Sequence, residues 1–322
     1  MSAMPAAVSE TKSKYDRLIA AAKGASTVST IVVYPCDESS LRGAIDSMEA
    51  GIINAMLVGP EARIRDVAAK HDLDITGCRI IDTPPSEAAA AQRGVELIHE
   101  GKGEVLMKGS LHTDEIMRAV TAKTGGLRTE RRISHVFIMD VPAYSETVFV
   151  TDAAINIFPD LDAKRDIIQN AIDLFNQGGF GTTPRVAILS AVETVTSKIP
   201  STIEAAALCK MADRKQITGA LLDGPLAFDN AIDMDAARIK GIKSEVAGRA
   251  QILLVPDLES GNMLAKNLSY FAKADGAGIV LGARVPVVLT SRADTARSRM
   301  ASAAVAALYT DARRRRAPIA SA

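Results

Sequence analysis

The chain has 322 residues, of which 48% are hydrophobic and 24% charged; at about 150 residues per domain this is room for roughly two domains, and it excludes disorder as the main state. Lys plus Arg and Asp plus Glu number 38 each, so no positive excess draws the chain toward nucleic acid or an anionic membrane. Aromatic residues are only 4% and Trp is absent, which argues against base-stacking platforms and aromatic carbohydrate clefts.

Read in order, short β-branched runs alternate with helical stretches. IVVY (31–34) predicts a buried strand, and SSLRGAIDSMEAG a helix with Leu41, Ala44, Ile45 and Met48 on one face and Gly51 closing it. NAMLVG predicts a strand, PEARIRDVAAKH a helix with Pro60 in its first turn, and CRIID a strand. SEAAAAQRGVELIHEG follows as helix and EVLMKG as strand. Around Gly125 and Gly126 the rhythm changes: SHVFIMDV and ETVFVTD are two strand-like runs joined only by Pro142–Ser145, a hairpin-like step that suits the start of a second domain. Alternation then resumes through RVAILS, ITGALLDG, QILLVP, GIVLG and VPVVLT, with a long last helix from about Asp294 that ends on Arg313–Arg316, where cations suit the helix dipole. This pattern predicts an α/β fold with mostly parallel strands and helices on both faces.

Several chemistries lose support. There is no GxxxxGK[ST], HExxH or GxSxG. GAGIVLG (276–282) misses GxGxxG by one position and reads as a turn glycine pair. The four histidines show no metal-ligand spacing, so no metal is expected. Cys36, Cys78 and Cys209 form neither a zinc knuckle nor an even disulfide set, and MSAMPAAVSE is not a signal peptide. GIVLGARVPVVLT is broken by Arg284 and Pro286 and is too short for a bilayer. A cytoplasmic protein with reduced thiols, no membrane partner and no nucleic-acid partner is expected.

The suggestive residues lie where strands end, which is where α/β sheets collect ligands. In VLMKGSLHTDEIMRA, Lys108, His112, Thr113 and Arg118 put cations, a hydroxyl and helix-start amides near one another: either a phosphate cradle or a surface loop. In LLDGPLAFDNAID, Asp223 ends a strand, while Asp229 or Asn230 reads as a helix cap. In VPDLESGNMLAKNLSYF, Asn262 and Lys266 share one helix face, either as a nucleotide or CoA contact or as a solvated surface. In VVLTSRADTARSRM, a strand runs into Ser291, Arg292 and Asp294 at a helix start: an anion site with a base beside it, or a plain cap.

These segments, in this order, resemble the phosphate acetyltransferase and phosphate butyryltransferase family. The likeness rests on MKGSLHT with Arg118, FVTDAAIN, VAILSAVET, LLDGPLAFDNAI, LLVPDLESGNMLAK and LTSRAD, and spans about Ile31 to Ala306. It implies a two-domain α/β/α architecture like that of isocitrate and isopropylmalate dehydrogenases, with the active site in the interdomain cleft. Residues 1–127 plus 286–322 would form the first domain, completed by the C-terminal strand and helix, and 128–285 the second. It implies the reaction acyl-CoA plus phosphate to acyl phosphate plus CoA, a homodimer, and no bound cofactor, CoA being a substrate.

The resemblance also assigns roles. Asp294 would be the base that makes the CoA thiol a thiolate, the form that attacks. Arg118 and Arg292 would grip phosphate in bidentate fashion, with Lys108, His112 and Thr113 beside it. Ser291 would donate a hydrogen bond without becoming acylated, and Asn262, Lys266 and Asp223 would contact CoA. The acetyl enzymes place their Asp seven positions after the Ser; here that position is Ser298, and Asp294 stands three after, as in the butyryl branch. The IPSTIEAAALCKMADR region resembles the acetyl side, so acetyl transfer is expected, with butyryl transfer as the alternative. A catalytically silent CoA- or acyl-phosphate-binding regulator is the alternative of a different class; it would have no reason to keep Asp294 beside Ser291 and Arg292.

Overall fold

A computed structural model describes residues 13–290 and 294–316. Helix α1 (Lys14–Lys23) precedes the alternating series β1 (Val28–Val33), α2 (Glu38–Glu49), β2 (Ile53–Gly59), α3 (Glu61–Lys70), β3 (Arg79–Asp82), α4 (Glu87–His99), β4 (Val105–Lys108) and α5 (Thr113–Thr121). Then come β5 (Ser134–Asp140), β6 (Val148–Thr151), α6 (Leu161–Gln177), β7 (Arg185–Leu189), α7 (Pro200–Asp213), β8 (Leu221–Leu226), α8 (Phe228–Ile232) and α9 (Met234–Ile239). The chain finishes with β9 (Ile252–Leu254), α10 (Leu258–Tyr270), β10 (Asp275–Leu281), β11 (Val287–Val288) and α11 (Ala296–Arg316).

Local chemistry sets these boundaries. The Asp37 carboxylate accepts the Ser40 N–H at 2.8 Å and starts α2, whose Leu41, Ala44 and Ile45 are buried. Gly51, at φ +73°, lets the chain turn just beyond its end. Asp257 and Ser260 form a reciprocal capping box that fixes the first turn of α10.

Among the described residues, eleven strands form one sheet in the order β3-β2-β1-β4-β11-β10-β5-β6-β9-β7-β8. Its outer parts are parallel, and three antiparallel pairings, β11 with β10, β10 with β5 and β5 with β6, join them at the centre. The hairpin-like step is therefore real, with Val136 opposite Thr151. Side chains alternate across the sheet: Phe149, Val186 and Ile252 enter the larger core, while Val150, Ala187 and Leu253 enter a second core on the opposite face. The last strand returns to pair with β4, Val287 beside Leu106, and α11 packs against α1, α2 and β10.

Two local readings change. Gly276 and Gly278 are not a turn pair but lie inside β10, paired with Met139 and Phe137; the long-range partner makes this stretch a strand. Asp229 does not cap α8, because Ala227 holds that position, and the capping carboxylate is Asp233 at the start of α9.

Candidate active site

Parallel register between β4 and β11 ends the two strands side by side. Lys108, at the tip of β4, is only 3% exposed, and its Nζ donates to the Thr290 carbonyl at 3.2 Å. The turn after Lys108 is tied down by Ser110, whose hydroxyl donates to the Tyr34 carbonyl at 2.9 Å and accepts the Cys36 N–H at 3.2 Å. It leads into α5, where the His112 N–H donates to Glu87 Oε2 at 2.8 Å and the ring Nδ1 lies 2.9 Å from the same oxygen.

These two tips border a cavity of about 850 Å³. One wall is the start of α5 (Leu111–Asp114) together with Leu289, Thr290, Asp294, Thr295 and Ser298. The facing wall is α10, with Asn262, Ala265, Lys266, Ser269 and Tyr270, and the floor is β5 and β10. Asn262 is held in place by donating from Nδ2 to the Ala153 carbonyl at 3.2 Å. That loop is in turn organised by the buried Asp152 carboxylate, which accepts the N–H groups of Ala154, Ile155 and Asn156.

The cavity thus gathers Lys108, His112, Thr113, Asn262, Lys266 and Asp294 from separate segments of the chain. Ser291 and Arg292 lie outside the described residues. Two expected site residues are not brought in. Arg118 has a side chain that is 70% exposed and grips both oxygens of Glu115, at 2.7 and 2.8 Å. Asp223 sits on β8, the far edge of the sheet, with β5, β6, β9 and β7 between it and β10, and accepts the Gly224 N–H at 2.8 Å. Neither lines the cavity.

Sequence reasoning missed the floor. His135, Phe137 and Met139 occur at every second position of β5, so they share one face, and all three line the cavity. Gly276 and Gly278 on β10 keep the space above that floor open. The signal available was a histidine with two apolar residues at strand period, inside a run with no turn or cap to explain it. Arg299 was also missed. It is 1% exposed, fits against Gly43, and donates from Nη1 to Thr290 Oγ1 at 2.7 Å and from Nε to Ser39 Oγ at 3.0 Å. Burial pulls its pKa down, while the charges of Asp37 and Asp294 favour the guanidinium. It braces the segment that carries Asp294.

Among the described residues, no group of three His, Cys, Asp or Glu side chains is placed to hold a metal ion, and no helix is long and apolar enough to cross a membrane. What the arrangement offers is a space with one fixed lysine, Lys108, an exposed one, Lys266, a carboxylate at a helix start and an apolar floor, suited to joining an anion to a long, partly apolar substrate.

Comparison with known proteins points to one family. The family model described as Phosphate acetyl/butaryl transferase matches residues 86–307. The chain is 69% identical over 309 residues to the phosphate acetyltransferase of Rhizobium meliloti, covering 96% of this chain and 97% of that one. It is 39% identical over 294 residues to the phosphate butyryltransferase of Clostridium acetobutylicum, covering 91% and 97%. Among solved structures it is similar to a branched-chain phosphotransacylase from Enterococcus faecalis, with TM-score 0.77 and 26% identity over 88% of this chain and 99% of that chain.

Proposed function

From the premise that the chain belongs to the phosphate acetyl- and butyryltransferase family, we propose that it moves an acetyl group reversibly between the sulfur of coenzyme A and inorganic phosphate. One observation carries this reading: a single cavity joins the lysine-bearing tip of β4, the Asp294 segment and the Asn262–Lys266 face of α10. Such a space admits a phosphate and a pantetheine arm together, so no acyl-enzyme is needed.

In the direction that makes acetyl-CoA, the Asp294 carboxylate takes the thiol proton and the thiolate attacks the carbonyl carbon of acetyl phosphate. The carbon–oxygen bond to phosphate then breaks, and phosphate leaves with the bonding pair. Lys108, with the amides and hydroxyl at the start of α5, balances the phosphate charge. Ser291 and Arg292, one and two positions beyond Thr290, fill the donor and fork roles of the family pattern. Asn262 and Lys266 bind CoA. Arg118 is left out of this scheme, because it pairs with Glu115 and does not line the cavity.

We assign residues 1–127 plus 286–322 and residues 128–285 to two domains, with the cavity at their junction. A homodimer is supported by the exposed Met263, Tyr270 and Phe271 on and beside α10, with Ile157 and Phe158 near its start. The three cysteines are all free thiols, which suits a reducing cytoplasm.

The test is release of free thiol from acetyl-CoA that depends on added phosphate, with specificity constants for acetyl-, propionyl- and butyryl-CoA measured side by side. Acetyl-CoA should be the best substrate. No release from any of the three would overturn the reading. Asp294→Asn should lower turnover about 10²-fold or more while the melting temperature stays near wild type; a change in melting temperature alone would make the residue a cap.

A further inference from the structure

His135 stands in the middle of the sheet, 1% exposed, on the cavity floor. Its Nδ1 has no hydrogen-bond partner among the described residues. The ring stands edge-on to Phe137, with centroids 4.3 Å apart and planes at 67°. Across the ladder, a Cβ on Gly278 would come within 2.9 Å of His135 Nε2 and 3.0 Å of the Leu289 carbonyl oxygen. The ring therefore lies about one residue's width from the Leu289 carbonyl, next to Thr290.

A buried polar atom without a partner opposes folding, and a phenyl ring would fill the same space without that cost. Packing therefore explains the ring and leaves Nδ1 unexplained. Burial also holds the imidazole pKa down to about 3, so the ring is neutral at any working pH and carries a single N–H. With Phe137 and Met139 beside it, this is a neutral donor in an apolar wall. A dianionic phosphate calls for cations, as at Lys108. An acyl group calls for apolar contact along its chain and one donor at its oxygen.

We infer that His135 is a substrate-contacting residue whose ring N–H donates to the carbonyl oxygen of the acyl group, with the acyl chain lying against Phe137 and Met139. The inference rests on the acyltransfer reading above. When the nucleophile adds to the carbonyl carbon, the carbonyl π pair moves onto oxygen, and the N–H is already aimed at the charge that forms. When the bond to sulfur or phosphate oxygen breaks, that pair returns and the leaving group departs with its own. His135 gives up no proton, so it ends as it began.

The test compares His135→Phe with His135→Gln, whose amide restores an N–H. His135→Phe should lower kcat in the thiol-release reaction about 10²–10³-fold, leave KM for phosphate within about twofold, and melt at or above the wild-type temperature. His135→Gln should recover about tenfold or more of the lost kcat. In the wild type labelled with ¹⁵N-histidine, acetyl-CoA should shift the His135 ring nitrogens and CoA alone should not. Wild-type kcat in His135→Phe, no recovery in His135→Gln, or ring resonances indifferent to acetyl-CoA would each overturn the inference while leaving the acyltransferase reading intact. A wild-type protein that turns over none of the three acyl-CoAs would overturn that reading first, and this inference with it.

Discussion

At the scale of single residues, His135 and Arg299 are buried polar groups that a packing argument alone would not place in the interior. His135 must stay neutral when folded, whereas in the unfolded chain it titrates near 6.5. The folded state thus binds fewer protons, and stability present above pH 6.5 is lost as pH falls toward 3. About 2 kcal/mol should disappear between pH 7 and pH 5, a window above the usual carboxylate range; denaturant melts across that window should show the slope in the wild type and a flatter line in His135→Phe. Arg299 is the second case. Arg299→Met removes the donors to Thr290 and Ser39, and should cost about 2–3 kcal/mol and lower turnover, because the segment bearing Asp294 loses its brace. Wild-type turnover in that variant would reduce Arg299 to packing. The thiols are quiet for the same reason of burial, which pushes Cys36 up to about 11 and Cys209 up to about 12, with Cys78 also raised. A thiol reagent at pH 8 should react slowly with the native protein and with three groups per chain once it is unfolded.

At the scale of elements, β10 is the strand on which the site depends. Gly278→Ala would set a methyl 2.9 Å from His135 Nε2 and 3.0 Å from a backbone oxygen that cannot swing away. It should cost about 1–3 kcal/mol and depress kcat more than it disturbs CoA binding, as read by thermal melts alongside thiol release. The same strand shows where reading from sequence stops. IVVY, NAMLVG and EVLMKG were legible as strands because they are apolar runs bounded by turn residues, and α2 because Leu41, Ala44, Ile45 and Met48 repeat at helical spacing before Gly51. GAGIVLG misled because its first glycines look like a turn until β5 is laid beside them. Helix α1 gave no comparable signal: of its ten residues only Ile19 and Ala22 are buried. Lys108, Asn262, Lys266 and Asp294 could be picked from strand-end and helix-start chemistry. The pairing of Arg118 with Glu115 and the rank of β8 in the sheet could not: a side chain's choice of partner is not written in its spacing, and the rank depends on strands far away in the chain.

At the scale of the whole molecule, α/β alternation made the class plain, but one eleven-stranded sheet through the described residues was not foreseen. Its centre depends on pairing β5 with β10 and β4 with β11, partners more than a hundred positions apart, so no local pattern announces it. Ending the chain after Val285 would strip β11 from between β4 and β10 and remove the buried Ala303–Ala307 of α11. Such a chain should accumulate in the insoluble fraction; a soluble product with native amide protection in β4 would contradict that expectation. The late arrival of β11 also bears on biosynthesis. Val287 pairs with Leu106, a residue made 181 positions earlier, and at about 5–20 residues per second the ribosome needs roughly ten to forty seconds to cover that gap. Through that interval β4 waits with an unsatisfied edge, and the nascent polypeptide offers chaperones a sticky ribbon until its final segment emerges and slots into place.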